Sequence, residues 1–239
     1  MSKSSKFIQI SVYIFLALGA LTVPNAGSEP GQLGRLEKIS IPDNNPYAKI
    51  DIKENNEVMK ILMGDDNVEK AVNVQKILEH PEKFNPPALY FLSYVLFQDG
   101  RKDEAMFWFY AGQLRGRYDA NRCADESANT AVQQLNEQIG PYINPYAFQD
   151  LDKLKKTVAD VMAWDNTTPY LYDHRWINLH GMNAMSSALK SQDGSKVEAD
   201  PVMSLPESQW GEIHRKTQED YMAGFKEALE ILKERKAGL

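Results

Sequence analysis

PPALYFLSYVLFQDGRKDEAMFWFYAGQLRGRYDA, residues 86–120, is the stretch on which the fold turns. It holds two apolar-rich segments parted by a short polar break. In the first, Leu89, Leu92, Val95 and Leu96 share one stripe at helical spacing, and Tyr90, Phe91, Tyr94 and Phe97 widen it around much of the cylinder. A helix apolar on so many sides is expected to be sandwiched between neighbours. Asp99-Gly100 supplies the turn, since glycine takes the left-handed conformation that closes a helix. Lys102, Asp103 and Glu104 start a second helix with acid near its N-terminus. Ala105, Phe107, Trp108, Phe109 and Ala111 follow, the alanines small where a partner helix comes close. The stretch therefore reads as a helical hairpin made to pack against further helices.

Working outward, residues 54–63 form a helix with Val58, Ile61 and Leu62 on one side, stopped at Gly64. Residues 68–79 place Val68, Ala71, Val72, Gln75 and Leu78 at i, i+3, i+4, i+7 spacing, the expected buried stripe of a second helix. His80-Pro81 ends it. Beyond the hairpin, Ala124, Ala128, Ala131, Val132, Leu135 and Ile139 make a small-residue stripe, which Gly140-Pro141 is expected to terminate. Residues 142–146 then read as a linker, and residues 147–164 as a helix with Leu151, Leu154, Val158, Val161 and Met162 inward. Residues 176–189 read as helical and residues 191–204 as a polar loop. A final helix has Ser204 as its expected cap, and carries Trp210, Ile213, Thr217, Tyr221, Phe225, Ala228 and Leu232.

The pattern Leu89, Leu92, Leu96, Gly100, Ala105, Phe109, within residues 86–112, resembles a single tetratricopeptide repeat or its Sel1-like relative. Ser93 departs from it, standing where glycine or alanine is usual, and the signature does not recur at a fixed period. The resemblance implies stacked helical hairpins and a surface that holds peptide segments or partner proteins. The fold class is accordingly all-α: stacked helical hairpins, tetratricopeptide-like or an irregular bundle.

Residues 1–6 are short and basic, residues 7–23 are apolar, and Pro24, Asn25, Ala26 and Gly27 follow. This is the layout of a signal peptide, residues 1–26, with an uncleaved anchor as the alternative because Pro24 spoils the cleavage site. The expectation is an exported protein, periplasmic or extracellular, and inner-membrane anchored if the leader stays. Residues 27–56, with Pro30, Pro42 and Pro46, read as an irregular arm, and residues 57–239 as one helical domain whose repeat-like hairpin spans 86–118.

The 239 residues carry a net charge of −6 with no block of Lys or Arg, which disfavours binding to phosphate backbones. One cysteine, Cys123, precludes an internal disulfide and a structural zinc site. No G-x-S-x-G, H-E-x-x-H or glycine-rich phosphate loop is present. No cofactor and no metal site are expected.

Two polar clusters stand out. In the first, Arg115–Asp119 and Arg122–Glu126 are spaced as i,i+4 ion pairs and Asp119–Arg122 as an i,i+3 pair on a helix surface, with Arg117 and Asp125 in the same charged stretch. Trp108, Tyr110, Arg115, Arg117, Tyr118, Asp119 and Arg122 are the expected partner-binding residues. That expectation requires Trp108, Tyr110, Arg115 and Tyr118 to be exposed on one face. Asp173, His174, Arg175 and Trp176 form the second, weaker cluster, a place for acid–base chemistry if a second acid joins it. The leading functional expectation is a non-catalytic, exported protein-binding module that recognises a protein or peptide. The alternatives are a periplasmic immunity protein against a secreted bacterial toxin, and a periplasmic enzyme.

Overall fold

The computed structural model describes residues 45–236 and residue 238. The expected leader and most of the expected arm lie outside them. Eight α-helices and five short 3-10 turns make up the described chain, and its one piece of strand-like pairing is an isolated bridge between Cys123 and Ser204. The fold is all-α, as expected.

The first six helices come as three successive hairpins: α1 (Lys53–Leu62) with α2 (Asn67–Glu79), α3 (Pro86–Gln98) with α4 (Lys102–Arg122), and α5 (Thr130–Ala147) with α6 (Leu151–Thr167). Helix α1 packs on α3 and α3 on α5, so the first helices of the hairpins lie side by side, while α4 packs on α6. This is a helical-repeat-like arrangement, with α3 and α4 the most closely packed pair. Pro86 and Pro87 open α3 behind Asn85, whose side chain accepts from the Ala88 N–H at 3.2 Å. Gly100 closes the turn at φ 79°. Ala105 and Ala111 are fully buried, as expected. The closest approach is at Gly112, where a Cβ would stand 3.0 Å from the Tyr90 ring. Ser93 is tolerated inside because its hydroxyl donates to the Tyr90 carbonyl at 2.7 Å.

Four expectations are corrected. In α2 the inward residues are Asn73, Val74 and Ile77, while Val68 and Val72 are 76% and 62% exposed. The periodicity was present, but β-branched residues on both sides of the helix made two stripes look equivalent. Helix α5 runs through Pro141 and Pro145 rather than stopping at Gly140. Ile139, Ile143 and Ala147 keep one face buried across both prolines, and packing outweighs the lost backbone bonds. Residues 176–189 are not one helix. A 3-10 segment, His174–His180, is separated from α7 (Met182–Gln192) by Gly181. A Cβ at Gly181 would run into the Asp125 carboxylate, which instead accepts from the Asn183 N–H at 2.9 Å and caps α7 from another element. Ser204 likewise does not cap α8 (Trp210–Lys236), which follows a separate 3-10 turn, Glu207–Gln209. Its hydroxyl pairs with His174 Nε2 at 2.8 Å.

The described chain begins on α7. Asn45 Nδ2 donates to the Ser187 and Ser191 hydroxyls, both at 2.9 Å, and Tyr47 and Ile50 pack with Ala184. Helix α1 starts at Lys53, inside the stretch expected to be irregular.

Candidate functional site

Arg115, Asp119 and Arg122 lie on one face of α4 at i, i+4, i+7. That face is turned inward. Arg115 and Asp119 are 0% exposed and Arg122 is 4% exposed. Arg115 Nε donates to Asp165 Oδ1 at 3.1 Å, and its terminal nitrogens donate to the Thr168 and Pro169 carbonyls at 2.7 and 3.3 Å. The guanidinium is also held over the Trp164 and Tyr170 rings, 4.2 and 4.1 Å from their centroids. It thus binds the two carbonyls that directly follow α6, at the end where the helix dipole favours a cation.

Asp165 also accepts from the Tyr170 hydroxyl at 2.6 Å and from Gln218 Nε2 at 3.1 Å, and pairs with His214 Nε2 at 2.9 Å. Burial pushes its carboxyl up, but the bonds from His214 and Tyr170 and the Arg115 charge outweigh that, and it titrates below its ordinary value. One turn along α4, Asp119 accepts from both Arg122 Nε and NH2, from the Tyr172 hydroxyl at 3.0 Å and from Trp176 Nε1 at 2.7 Å. Here burial dominates and raises the carboxyl. Arg122 stacks over the Tyr118 and Trp210 rings at 4.3 and 4.9 Å. The result is a continuous seam of two buried ion pairs joining α4, α6, residues 168–176 and the start of α8.

The residues named from sequence fall as follows. Trp108, Tyr110, Arg115 and Tyr118 are all buried, so the exposed face they were expected to form is absent. Trp108 packs edge-on to Phe107 and Trp164. Tyr110 donates to Asn144 Oδ1 at 3.3 Å and Tyr118 to the Trp210 carbonyl at 3.3 Å. Arg117 is half-buried, over the Tyr221 ring. Of the expected surface ion pairs, Asp119–Arg122 forms but inside the fold, and Arg115 turns away from Asp119 to Asp165. The physical reason is length: an arginine on a helix face that meets another helix reaches across to its carbonyls rather than back along its own surface.

Trp176 leaves the second cluster to join Asp119. Asp173 binds Arg175 and the Asp51 N–H, and gains no second acid. His174 is pushed down to about 4 by burial and by the nearby Arg122 charge, so it is neutral at ordinary pH. Among the described residues no group of His, Cys, Asp and Glu could hold a metal ion.

Asp165 and His214 were missed as partners. A signal was available: Asp165 continues the inward series Leu154, Val158, Val161 at i+4, i+7 and i+11. A carboxylate on a core stripe calls for a buried cation.

A second feature lies on the opposite side of the central hairpin. Phe91, Tyr94 and Phe97 of α3 are only partly buried, and Tyr142 and Tyr146 of α5 stand beside them. Tyr94 meets Tyr142 edge-on at 4.9 Å and Phe97 meets Tyr146 at 6.2 Å. Tyr142 is 38% exposed, and the neighbouring Pro141 and Pro145 are exposed as well. Lys102 Nζ sits 5.3 and 5.7 Å from the Phe97 and Tyr146 centroids. Tyr146 donates to Asp103 Oδ1 at 2.6 Å, beside Lys153.

No protein-family model matches the chain, and no solved structure matches it. An uncharacterized protein of Haemophilus influenzae is 29% identical over 99 residues, which are 41% of this chain and 39% of that protein. The chain thus matches well under half the length of this relative.

Proposed function

We propose that the chain is an exported, non-catalytic helical module that binds a protein or peptide partner on the aromatic face of α3 and α5. The observation that carries this reading is the pair of ring contacts, Tyr94–Tyr142 and Phe97–Tyr146, on neighbouring helices, with Tyr142 exposed and the other three rings only partly buried. Aromatic residues are the common anchors of protein interfaces, because they bring large area at little entropic cost. The likeness of residues 86–112 to a tetratricopeptide repeat supports the same reading, since such hairpins hold partners on their surfaces. The buried seam supports it indirectly by holding α4 and α6 rigid behind that face.

The test is photo-crosslinking in the producing cell. A benzoylphenylalanine placed at position 142 is expected to trap one discrete partner, and the same group at the exposed control position 202 to trap none. Absence of any adduct at 142, with the protein folded and exported, would overturn the reading. Fractionation of the same cells tests export.

A further inference from the structure

Resting on the export in that reading, we infer that residues 7–23 stay in the chain as a membrane anchor and that the outer side of α7 lies on the bilayer this anchor enters. Three observations lead there. First, α7 is apolar on a side that the other described residues leave open. Met182, Met185 and Leu189, at i, i+3 and i+7, are 60%, 42% and 54% exposed, while Ala184 and Ala188 bury the inner side. Asn183, Ser186 and Lys190, all exposed, border the stripe. This is the layout of a helix lying in a membrane interface.

Second, the chain enters the fold on this helix. Asn45, the first described residue, is buried, and its Nδ2 donates to the Ser187 and Ser191 hydroxyls. Its Oδ1 accepts from the Tyr47 N–H at 3.0 Å, so the whole side chain is committed. The two serines lie round the helix from the stripe, and the chain therefore leaves within about one helix diameter of it, roughly 10–12 Å. Residues 24–44 then join Asn45 to the apolar run. At about 3.5 Å each they span at most about 75 Å. Held that close, α7 meets the bilayer at an effective concentration on the order of 1 mM, so a stripe too small to hold a free protein suffices. Val68 and Val72 of α2 are at least as exposed, but the chain does not enter there.

Third, residues 7–23 carry no charge and reach the short end of a membrane span. A cut after Ala26 would set Pro24 where the cleavage site asks for a small residue. Asp193, Glu198 and Asp200 follow α7, so apolar burial rather than attraction to anionic headgroups holds the contact.

The test uses the full chain in phosphatidylcholine vesicles that contain a nitroxide-labelled lipid. A bimane is attached at Met185→Cys, and at Val72→Cys as the control. Cys123 is buried and its thiol, pushed up to about 11 by burial, does not compete for the label. Quenching at 185 is expected to exceed that at 72 about threefold or more and to persist at high salt. Leu189→Asp is expected to bring it down to the control. Unchanged circular dichroism shows that each variant is folded. Equal quenching at the two positions, loss of quenching at high salt, or no effect of Leu189→Asp would overturn the inference. So would a disulfide-linked dimer through position 185 without quenching, which gives the face to a second copy. If the protein recovered from the producing cell begins after residue 26, this inference fails while the binding-module reading stands on trapping at position 142. If quenching holds and position 142 traps nothing, that reading fails and this inference stands.

Discussion

The seam beneath α4 and the face of α3 and α5 invert the usual division between inside and outside. One holds four ionised side chains, Arg115, Asp119, Arg122 and Asp165, away from water. The other leaves five aromatic rings partly in it. The charges are held by directional bonds to specific atoms, so they fix how α4, α6 and α8 sit on one another. The rings at the surface make few such commitments, so they remain available. The contrast separates residues that specify the fold from residues free to act, and it does so against their polarity.

Breaking the seam should have the largest effect. Asp165→Ala leaves Arg115 buried beside Trp164 and Tyr170 without its counter-ion, and should cost about 3–5 kcal/mol of stability in urea unfolding. Replacing both partners, Arg115→Met with Asp165→Leu, should recover most of that loss. A single substitution that costs less than about 1 kcal/mol would show that water reaches the pair.

Acid should act next. His174 is held neutral, pushed down to about 4 from an ordinary value of 6.5. The unfolded chain therefore takes up the proton first. Stability present above pH 6.5 should fall as pH drops toward 4, by roughly 2 kcal/mol once partial exposure is allowed for. His174→Gln should flatten that slope. Asp165 and Asp173, both lowered, add losses only once pH falls below their ordinary value of 3.8.

Two tyrosines, one on α3 and one on α5, sharpen the comparison. Tyr90 is buried and donates to Asn136 Oδ1 at 2.7 Å, so Tyr90→Phe should cost about 1 kcal/mol. Tyr142→Ala, on the open face, should change stability by less than about 0.5 kcal/mol while removing binding. Equal losses at the two positions would mean that the face is part of the core.

The central hairpin was legible because its apolar residues outnumber what one face needs and Gly100 marks the turn. Helix α6 was legible because its inward series is regular. The seam was not. Arg115, Asp119 and Arg122 have the spacing of surface ion pairs, and nothing local distinguishes a helix side that meets solvent from one that meets α6. Their partners lie about fifty to a hundred residues further on in sequence, at Asp165, Trp176 and Trp210. The partly buried rings of α3 were misjudged for the converse reason. An aromatic at every turn looks like a helix enclosed on all sides, and only the neighbouring helices decide which side stays open. The prolines of α5 misled because a local rule was outweighed by a buried face that spans them.

The seam is also closed by a single element. His214 and Gln218 of α8 reach Asp165, and Trp210 at the start of the same helix covers Arg122. One helix therefore shields both buried ion pairs at once, so a change that displaces α8 opens both to water together.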